Sequence, residues 1–293
     1  MKRLAVALLC SAVVLAAHAR RVEPVAFPSL DRDANGAAVL LHAMLLLPAE
    51  PAREARPAIV ALHGCGGMYS TRAGHEDELA ERLALRADPL LRDGYAVLFV
   101  DSFRSRGVTQ ICTVRHADRT VKLAQRRLDA LGALAYLAHR SDVASGRIAL
   151  LGWSHGGSVA LQTIEKRNRS TGTAFFRGAV AFYPGCASAL ALGSRYQPGA
   201  PIRVYIGELD DWTPAATCVE LGKAMAARNE DLRVATYPDS YHGFDAPGGK
   251  LVHRSDVPNG VHPGEGVHMG PNAAARDAAN ASVRAFLRER LRD

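Results

Sequence analysis

From residue 57 onward, short apolar runs alternate with longer stretches in which apolar residues recur every three or four positions. Short continuous apolar runs are typical of strands buried on both faces, and the longer periodicity is typical of amphipathic helices. Strands are predicted at residues 57–62, 95–100, 147–151, 178–182, 202–206 and 232–237. Helices are predicted at residues 75–92, 119–140, 158–166, 214–228 and 273–290. This alternation predicts an α/β fold with a mostly parallel sheet and helices on both faces.

Three further features complete the predicted framework. Residues 40–47 form an apolar run ahead of the alternating region and are expected to add an antiparallel strand. Two connections, residues 102–118 and 242–272, are long for a compact domain, and loops of that length are often functional. The sequence contains no repeat, low-complexity tract or linker, so residues 20–293 are predicted to form a single domain.

The first 19 residues have the features of a secretory signal peptide. Met1-Lys2-Arg3 is a basic start, residues 4–17 are predominantly apolar, and residues 17–19 match a small-x-small cleavage site. The apolar run is too short for a typical membrane span. Export to the periplasm or the medium is therefore predicted, with no stable membrane span after cleavage.

Charge and composition narrow the choice of partners. The formal net charge of +7 falls to about +5 when Lys2 and Arg3 are removed, and the remaining basic residues are interspersed with acidic ones. The sequence has no Lys/Arg block, so nucleic-acid binding is not predicted. It also has no C-x-x-C spacing, and its histidines at 253, 262 and 268 lie in a Gly/Pro-rich segment. Neither a metal site nor a cofactor is predicted.

The clearest candidate for chemistry is Gly152-Trp153-Ser154-His155-Gly156, which matches the pattern G-x-S-x-G. Its position matters more than the match, because it lies between a predicted strand and a predicted helix. A nucleophilic serine occupies such a turn in this architecture, where flanking glycines allow close approach and the helix N-terminus favours negative charge. The alternative is an ordinary glycine-rich turn.

A serine hydroxyl needs a base, and the base needs a group that orients it. Asp210 and His242 each follow a predicted strand, in the chain order that this architecture requires. Asp211 is the alternative acid, since one of the two adjacent carboxylates can cap the following helix. His242 by itself is also compatible with an ordinary loop histidine. Three matches in order favour Ser154, His242 and Asp210 as a catalytic triad.

Acyl transfer also needs backbone N–H groups that stabilise the oxyanion. One is expected from His155, which directly follows the serine. The other is expected from Cys65, in the small-residue segment HGCGG (residues 63–67) that follows a predicted strand. The side chain of His63 is expected to hold this loop.

Together these residues resemble the dienelactone hydrolase family of α/β hydrolases. The matching segments are HGCGG (63–67), DSF with RG (101–107), GWSHGG (152–157), GELDDWTP (207–214) and YHGF (241–244). The resemblance extends from about residue 39 to the last helix. It implies an α/β-hydrolase fold and an acyl-enzyme mechanism on carboxylic esters or lactones, and it selects Asp210 as the acid.

The chain also departs from the family pattern. The founding members use a cysteine nucleophile and a nearby glutamate, whereas this chain has Ser154 and no acidic residue in HGCGG. The broader esterase or lactonase activity is therefore expected rather than hydrolysis of dienelactone itself.

Several residues are candidates for contact with a small-molecule ester. Arg104, Arg106 and Arg115 lie on the loop after a strand end, and one of them is a candidate for binding a substrate carboxylate. The alternative is that they form salt links within the loop. Trp212 and Tyr183 are candidates for lining the pocket, and ordinary packing is an equally good interpretation.

The exported chain retains four cysteines, which allow three pairings. Cys186 and Cys218 follow neighbouring strand ends, and a disulfide between them is the favoured hypothesis. Cys65 and Cys112 are then the remaining pair.

Three alternative functions remain open on the sequence. A serine peptidase of the same fold is one, although such enzymes often carry an additional domain for which this chain has no spare length. An esterase acting on polyesters or polysaccharide esters is the second. A non-catalytic binding protein that retains the fold is the third. The sequence indicates no oligomeric state.

Overall fold

The computed structural model describes residues 20–51, 53–169 and 174–292, so the predicted signal peptide at residues 1–19 lies outside the described residues. The strands of the central sheet are β1 (Arg21–Arg32), β2 (Ala38–Leu47), β3 (Arg56–Leu62), β4 (Ala96–Val100), β5 (Val143–Trp153), β6 (Ala179–Phe182), β7 (Ile202–Gly207) and β8 (Leu232–Tyr237). Their spatial order is β1-β2-β4-β3-β5-β6-β7-β8. The β1–β2 and β2–β4 pairs are antiparallel and the other neighbours are parallel, so the sheet is mostly parallel as predicted.

Helices cover the sheet on both faces. They are α1 (Glu81–Arg92), α2 (Leu123–Ala138), α3 (His155–Thr163), α4 (Ala187–Ala191), α5 (Ala215–Ala226) and α6 (Ala273–Arg290). Helices α2 and α3 pack against each other and against β5, while α1 and α6 come together around Leu151 and Trp153. None of the described helices is both long and apolar enough to cross a membrane.

The parallel strands bring their carboxyl ends to one edge of the sheet. Strands β3 and β5 are fully buried over their last residues, as continuous apolar runs require in a sheet covered on both sides. The loops that follow β3, β5, β7 and β8 therefore begin close together, and they carry the residues singled out in the sequence.

Strand β1 was not predicted, because its sequence lacks the continuous apolar pattern of the inner strands. It lies at the edge of the sheet, where only Phe27 and Ser29 are buried and the other side chains face solvent or are half-buried. An edge strand of this kind accepts polar residues and proline on its open side.

Several helices differ from their predicted form. Helix α1 begins at Glu81, six positions after the predicted start at residue 75. Helix α3 begins at His155, three positions before the predicted start at residue 158, because Gly156 and Gly157 belong to its first turn. Helix α2 was predicted from its spacing of leucines, but its buried stripe also includes Arg126 and Asp129.

The long segment after β8 also differs from the predicted loop. It contains a short hairpin formed by β9 (Val252–Arg254) and β10 (Val267–Met269). Met269 bridges to His242, and the N–H of Gly270 donates to the carbonyl of His242 at 3.0 Å. The hairpin is therefore connected directly to the loop that carries this histidine.

Candidate active site

Ser154 lies at the turn between β5 and α3 in a backbone conformation that non-glycine residues rarely adopt. Its φ is +54° and its ψ is −120°. A Cβ atom on Gly152 would lie 2.2 Å from the carbonyl oxygen of Gly156, and one on Gly156 would lie 2.2 Å from that of Leu62. Steric contact therefore requires glycine on both sides of the serine, and strain at such a residue costs roughly 1–3 kcal/mol.

The side chains of Ser154, His242 and Asp210 form a continuous hydrogen-bonded series. Ser154 Oγ lies 2.9 Å from His242 Nε2, and His242 Nδ1 lies 2.9 Å from Asp210 Oδ2. His242 and Asp210 are 3% and 4% exposed, so both are shielded from water. The imidazole ring packs between Tyr183 and Trp212, with ring centroids 4.5 and 4.7 Å away.

The carboxylates of Asp210 and Asp211 have different partners. Asp210 Oδ1 accepts the backbone N–H groups of Trp212 at 3.0 Å and Thr213 at 2.8 Å, which fixes the carboxylate that faces His242. Asp211 instead binds His268, accepting its backbone N–H at 2.9 Å and lying 2.7 Å from its Nδ1. Of the two acids considered from the sequence, the geometry favours Asp210, and Asp211 anchors the β9–β10 hairpin.

Cys65 and His155 line the same cleft as Ser154. Within the described residues, neither of their backbone N–H groups donates to a protein acceptor. Gly64 approaches the serine so closely that a Cβ on it would lie 3.4 Å from Ser154 Cβ. Two backbone donors therefore remain available beside the serine hydroxyl.

Arg126 was missed in the sequence, although it connects the two segments that carry these donors. It is fully buried on α2. It donates from Nη1 to Nδ1 of His155 at 2.7 Å and from Nη2 to the carbonyl of His63 at 2.7 Å. Burial lowers its pKa to about 10. The available sequence signal was an arginine at a helical spacing that continues through Ala130, Ala133 and Leu137.

His63 holds its loop through both ring nitrogens. Its Nδ1 lies 2.7 Å from the carbonyl oxygen of Gly64, to which it donates, and its Nε2 accepts the N–H of Ser102 at 3.4 Å. Burial, and then the positive charge of Arg126, lower the pKa of His63 well below its usual value. The same two causes lower the pKa of His155. The contacts agree with these directions, because His63 Nε2 and His155 Nδ1 each accept a hydrogen bond and so carry no proton.

Asp245 forms a second buried network behind His242, and it too was missed. Its carboxylate accepts two hydrogen bonds from Arg86, at 2.7 and 2.6 Å, one from Tyr183 Oη at 2.6 Å and one from Trp153 Nε1 at 2.8 Å. Burial opposes the charge of Arg86, but the adjacent carboxylate raises its pKa above the usual value. The network connects Arg86 on α1 to Trp153, which precedes the serine, and to Tyr183, which packs on the ring of His242.

Of the two interpretations given for Tyr183 from the sequence, the structure favours packing, because Tyr183 is not among the described residues that line the cleft. It is 3% exposed, and its hydroxyl is bound to Asp245. Burial raises its pKa well above the usual value, so the hydroxyl stays protonated and donates. Trp212, by contrast, does line the cleft.

Two of the three arginines considered for substrate binding, Arg104 and Arg106, form salt links, which is the alternative interpretation given for them in the sequence. Arg106 pairs with Asp31 and Asp129, both at 2.8 Å. Arg104 pairs with Asp77 at 2.7 Å and packs over the ring of Tyr69. Arg115 is exposed, and none of the three lies among the described residues that line the cleft.

The cleft beside Ser154 has a volume of about 530 Å³ and a cationic wall. Arg119 and Lys122 supply its positive charge, and its described lining residues include no acidic side chain. His116 also lines the cleft, but burial and then the charge of Arg119 lower its pKa. Arg119 is 8% exposed and uses Nε to bind the carbonyl of Val114 at 3.2 Å. Burial lowers its pKa to about 10. Arg119 is thus the arginine that the loop presents to the cleft.

Two disulfides join elements around the cleft, Cys65–Cys112 and Cys186–Cys218. This is the pairing favoured from the predicted strand ends.

Within the described residues, no group of three or more His, Cys, Asp or Glu side chains is arranged to hold a metal ion.

The parallel sheet with a serine on its strand-to-helix turn defines the class of the protein as an α/β hydrolase. The chain belongs to the dienelactone hydrolase family, whose family model matches residues 41–291. It is therefore a hydrolase that acts on ester bonds, and the family and fold expected from the sequence are confirmed. No curated protein matches the chain in sequence.

Three solved structures have a similar fold. A dienelactone hydrolase-like promiscuous phosphotriesterase from metagenomic libraries is 18% identical, with a TM-score of 0.66 and coverage of 94% of this chain and 100% of that one. Thermogutta terrifontis esterase 2, phosphorylated by paraoxon, is 18% identical, with a TM-score of 0.62 and coverage of 92% and 94%. A Klebsiella pneumoniae protein assigned as a dienelactone hydrolase is 15% identical, with a TM-score of 0.64 and coverage of 92% and 98%.

We expect Asp245→Asn to lower the free energy of unfolding by about 3–5 kcal/mol, because it leaves the buried charge of Arg86 without a full partner. Asp256→Asn is the matched control, since Asp256 accepts the same forked contact from Arg254, at 2.7 Å on both oxygens, but at the surface. The control should change stability little. Urea unfolding of both variants measures the difference, and equal losses would contradict the interpretation.

His63 gives stability a defined pH dependence. Its folded-state pKa lies below the ordinary value of 6.5, so on acidification the unfolded chain binds a proton that the folded chain does not. Its contribution is complete above pH 6.5 and is lost as the pH falls, with a slope of up to about 1.4 kcal/mol per pH unit.

We expect His63→Asn, which keeps a donor near Gly64, to reduce this slope by up to about 1.4 kcal/mol per pH unit, which is the contribution of one proton. Urea unfolding of both proteins at a series of pH values below about 7 provides the measurement. Identical slopes for the wild type and the variant would show that His63 is not neutral in the folded protein.

Proposed function

We propose that residues 20–293 form an exported serine hydrolase that cleaves carboxylic esters or lactones through an acyl-enzyme. The observation that carries the proposal is the pair of 2.9 Å contacts that connects Ser154 Oγ through His242 to Asp210. A nucleophile, a base and a group that orients the base are the three parts that acyl transfer at a serine requires.

In this mechanism Ser154 Oγ attacks the ester carbonyl while His242 Nε2 accepts its proton. Asp210, held by two backbone N–H groups, keeps His242 Nδ1 protonated and stabilises the imidazolium that forms. The amides of Cys65 and His155 donate to the oxyanion. His242 then returns the proton to the leaving alcohol, and water repeats the sequence on the acyl-enzyme to release the acid.

Export rests on the signal-peptide pattern of residues 1–19 and is supported by the two disulfides. Disulfides form and persist in oxidising compartments and are rare where thiols are kept reduced. The periplasm and the medium both meet this condition.

The cationic wall of the cleft favours esters that carry an anionic group. Arg119 has two terminal nitrogens beyond its one contact with Val114, and Lys122 adds a second positive charge. A guanidinium in a partly desolvated cleft binds a carboxylate strongly, because the fork of donors matches the two oxygens.

We expect Ser154→Ala to reduce kcat for p-nitrophenyl acetate by at least about 10⁴-fold while the protein stays folded, since the nucleophile is removed. Ser255→Ala, at an exposed serine, is the matched control and should keep full activity. A fluorophosphonate probe should label the wild type at Ser154. Hydrolysis retained in Ser154→Ala would refute the assignment, and a wild type that neither hydrolyses esters nor reacts with the probe would favour a binding protein.

We expect Arg119→Gln to lower kcat/KM for p-nitrophenyl hemisuccinate by about 10-fold or more and to leave p-nitrophenyl butyrate nearly unchanged. The two esters have similar length and differ in the terminal carboxylate. Arg104→Gln is the control, because Arg104 pairs with Asp77 and does not line the cleft. Equal losses of kcat/KM on both esters would mean that Arg119 stabilises the loop and does not bind the substrate carboxylate.

A further inference from the structure

The segment that carries the Cys65 amide has little regular structure to hold it. Cys65 lies beyond the end of β3, and Cys112 lies in the long loop after β4, so neither cysteine belongs to a helix or a strand. One backbone hydrogen bond joins the two segments at this point, from Ile111 N–H to the carbonyl of Cys65 at 2.8 Å. The disulfide is the covalent connection between them.

The surroundings of this disulfide form a small apolar cluster that is separate from the main core. Its buried members are Cys65, Phe103, Ile111, Cys112 and Val121, and Trp212 packs against it. Trp212 in turn contacts the ring of His242. A cluster this small contributes limited apolar burial. The disulfide therefore provides a larger share of the restraint on the position of the Cys65 backbone.

The contact between the two segments is also sterically close. A Cβ on Gly67 would lie 2.5 Å from the carbonyl oxygen of Thr109, and Gly67 has a φ of +75°. The HGCGG segment therefore rests directly on the loop that the disulfide ties to it. A displacement of that loop transfers to the backbone of residues 63–67.

The second disulfide has a different setting. Cys186 precedes α4 and Cys218 lies within α5, and both are fully buried in the main core. Helix packing on the sheet holds these elements independently of the crosslink. The two disulfides of one chain thus provide a matched comparison.

We propose that the Cys65–Cys112 disulfide is a positioning element that holds the Cys65 amide where the oxyanion forms, so that hydrolysis depends on its oxidation state. This inference rests on the proposed function. Loss of one oxyanion donor costs roughly 10²–10³-fold in kcat, and a displacement of about 1 Å costs up to about 10²-fold. The alanine pair C65A/C112A retains the backbone N–H, so only its position changes.

The first experiment compares C65A/C112A with C186A/C218A under conditions in which unfolding curves show both to be folded. For C65A/C112A we expect kcat for p-nitrophenyl acetate to fall by about 10–100-fold with KM nearly unchanged, and the Ki of a trifluoromethyl ketone, whose adduct carries an oxyanion, to rise in proportion. C186A/C218A should keep kcat within about 2-fold of wild type while losing stability. Equal kcat in both variants would overturn the proposal.

A second experiment does not require C65A/C112A to fold. In C186A/C218A the Cys65–Cys112 bond is the disulfide that remains, and dithiothreitol reduces it to two thiols while its own two thiols are oxidised to a cyclic disulfide. We expect kcat to fall in step with thiol release and to recover when oxidised glutathione re-forms the bond and is itself reduced to two thiols. Full activity after complete thiol release would overturn the proposal.

These results are distinguishable from a failure of the proposed function. Ester hydrolysis that depends on Ser154 but not on the Cys65–Cys112 bond would contradict the positioning role and would still support the proposed triad. Absence of Ser154-dependent hydrolysis in the wild type would contradict the proposed function itself.

Discussion

The steric contact at the turn between β5 and α3 is the constraint on which the rest of the site depends. Gly156 lies against the carbonyl of Leu62, so the first turn of α3 rests directly on the end of β3. Ser154 keeps its φ of +54° because its N–H is held at 2.9 Å by the carbonyl of Phe182 and the helix follows at once. Strain of this kind persists only where the surrounding structure over-determines it. The positions of His242 and of the backbone N–H groups of Cys65 and His155 are set relative to this turn.

Buried charges on the two sides of the turn supply much of that surrounding structure. Arg126 connects the carbonyl of His63 to the ring of His155, and Asp245 connects Trp153 to Tyr183. Each bonds several partners at once, so each restricts the segments on both sides of the serine. Asp245 accepts four hydrogen bonds, and a buried group satisfied in this way rigidifies a structure. Arg126 uses both terminal nitrogens, although its Nε has no partner among the described residues. The geometry around Ser154 therefore depends on buried residues that are not among the described residues lining the cleft.

The sequence predicts the parallel sheet and the proximity of Ser154, His242 and Asp210 because both follow from local patterns. Apolar runs identify the strands, and the carboxyl ends of parallel strands must meet. Strand β1 is not predicted, because a strand at the edge of the sheet does not need a continuous apolar run and its sequence lacks one. Arg126 and Asp245 escape prediction because their partners lie far away in sequence: Arg86 and Asp245, for example, are 159 positions apart. Periodicity marks which face of a helix is buried, but it does not identify which distant group satisfies a buried charge.

The long loop after β4 shows why the nearest charges to a strand end are not always the ones that face the site. Arg104 and Arg106 lie closest to the end of β4, but Asp77 and Asp129 draw them into salt links away from the cleft. Arg119, much further along, lines the cleft with a backbone carbonyl as its contact. Between them Cys112 attaches the loop to HGCGG, and Gly67 rests on it. One loop thus bears both the disulfide partner of Cys65 and the cation beside the serine. In the proposed mechanism its placement would therefore couple binding of an anionic ester to stabilisation of the oxyanion.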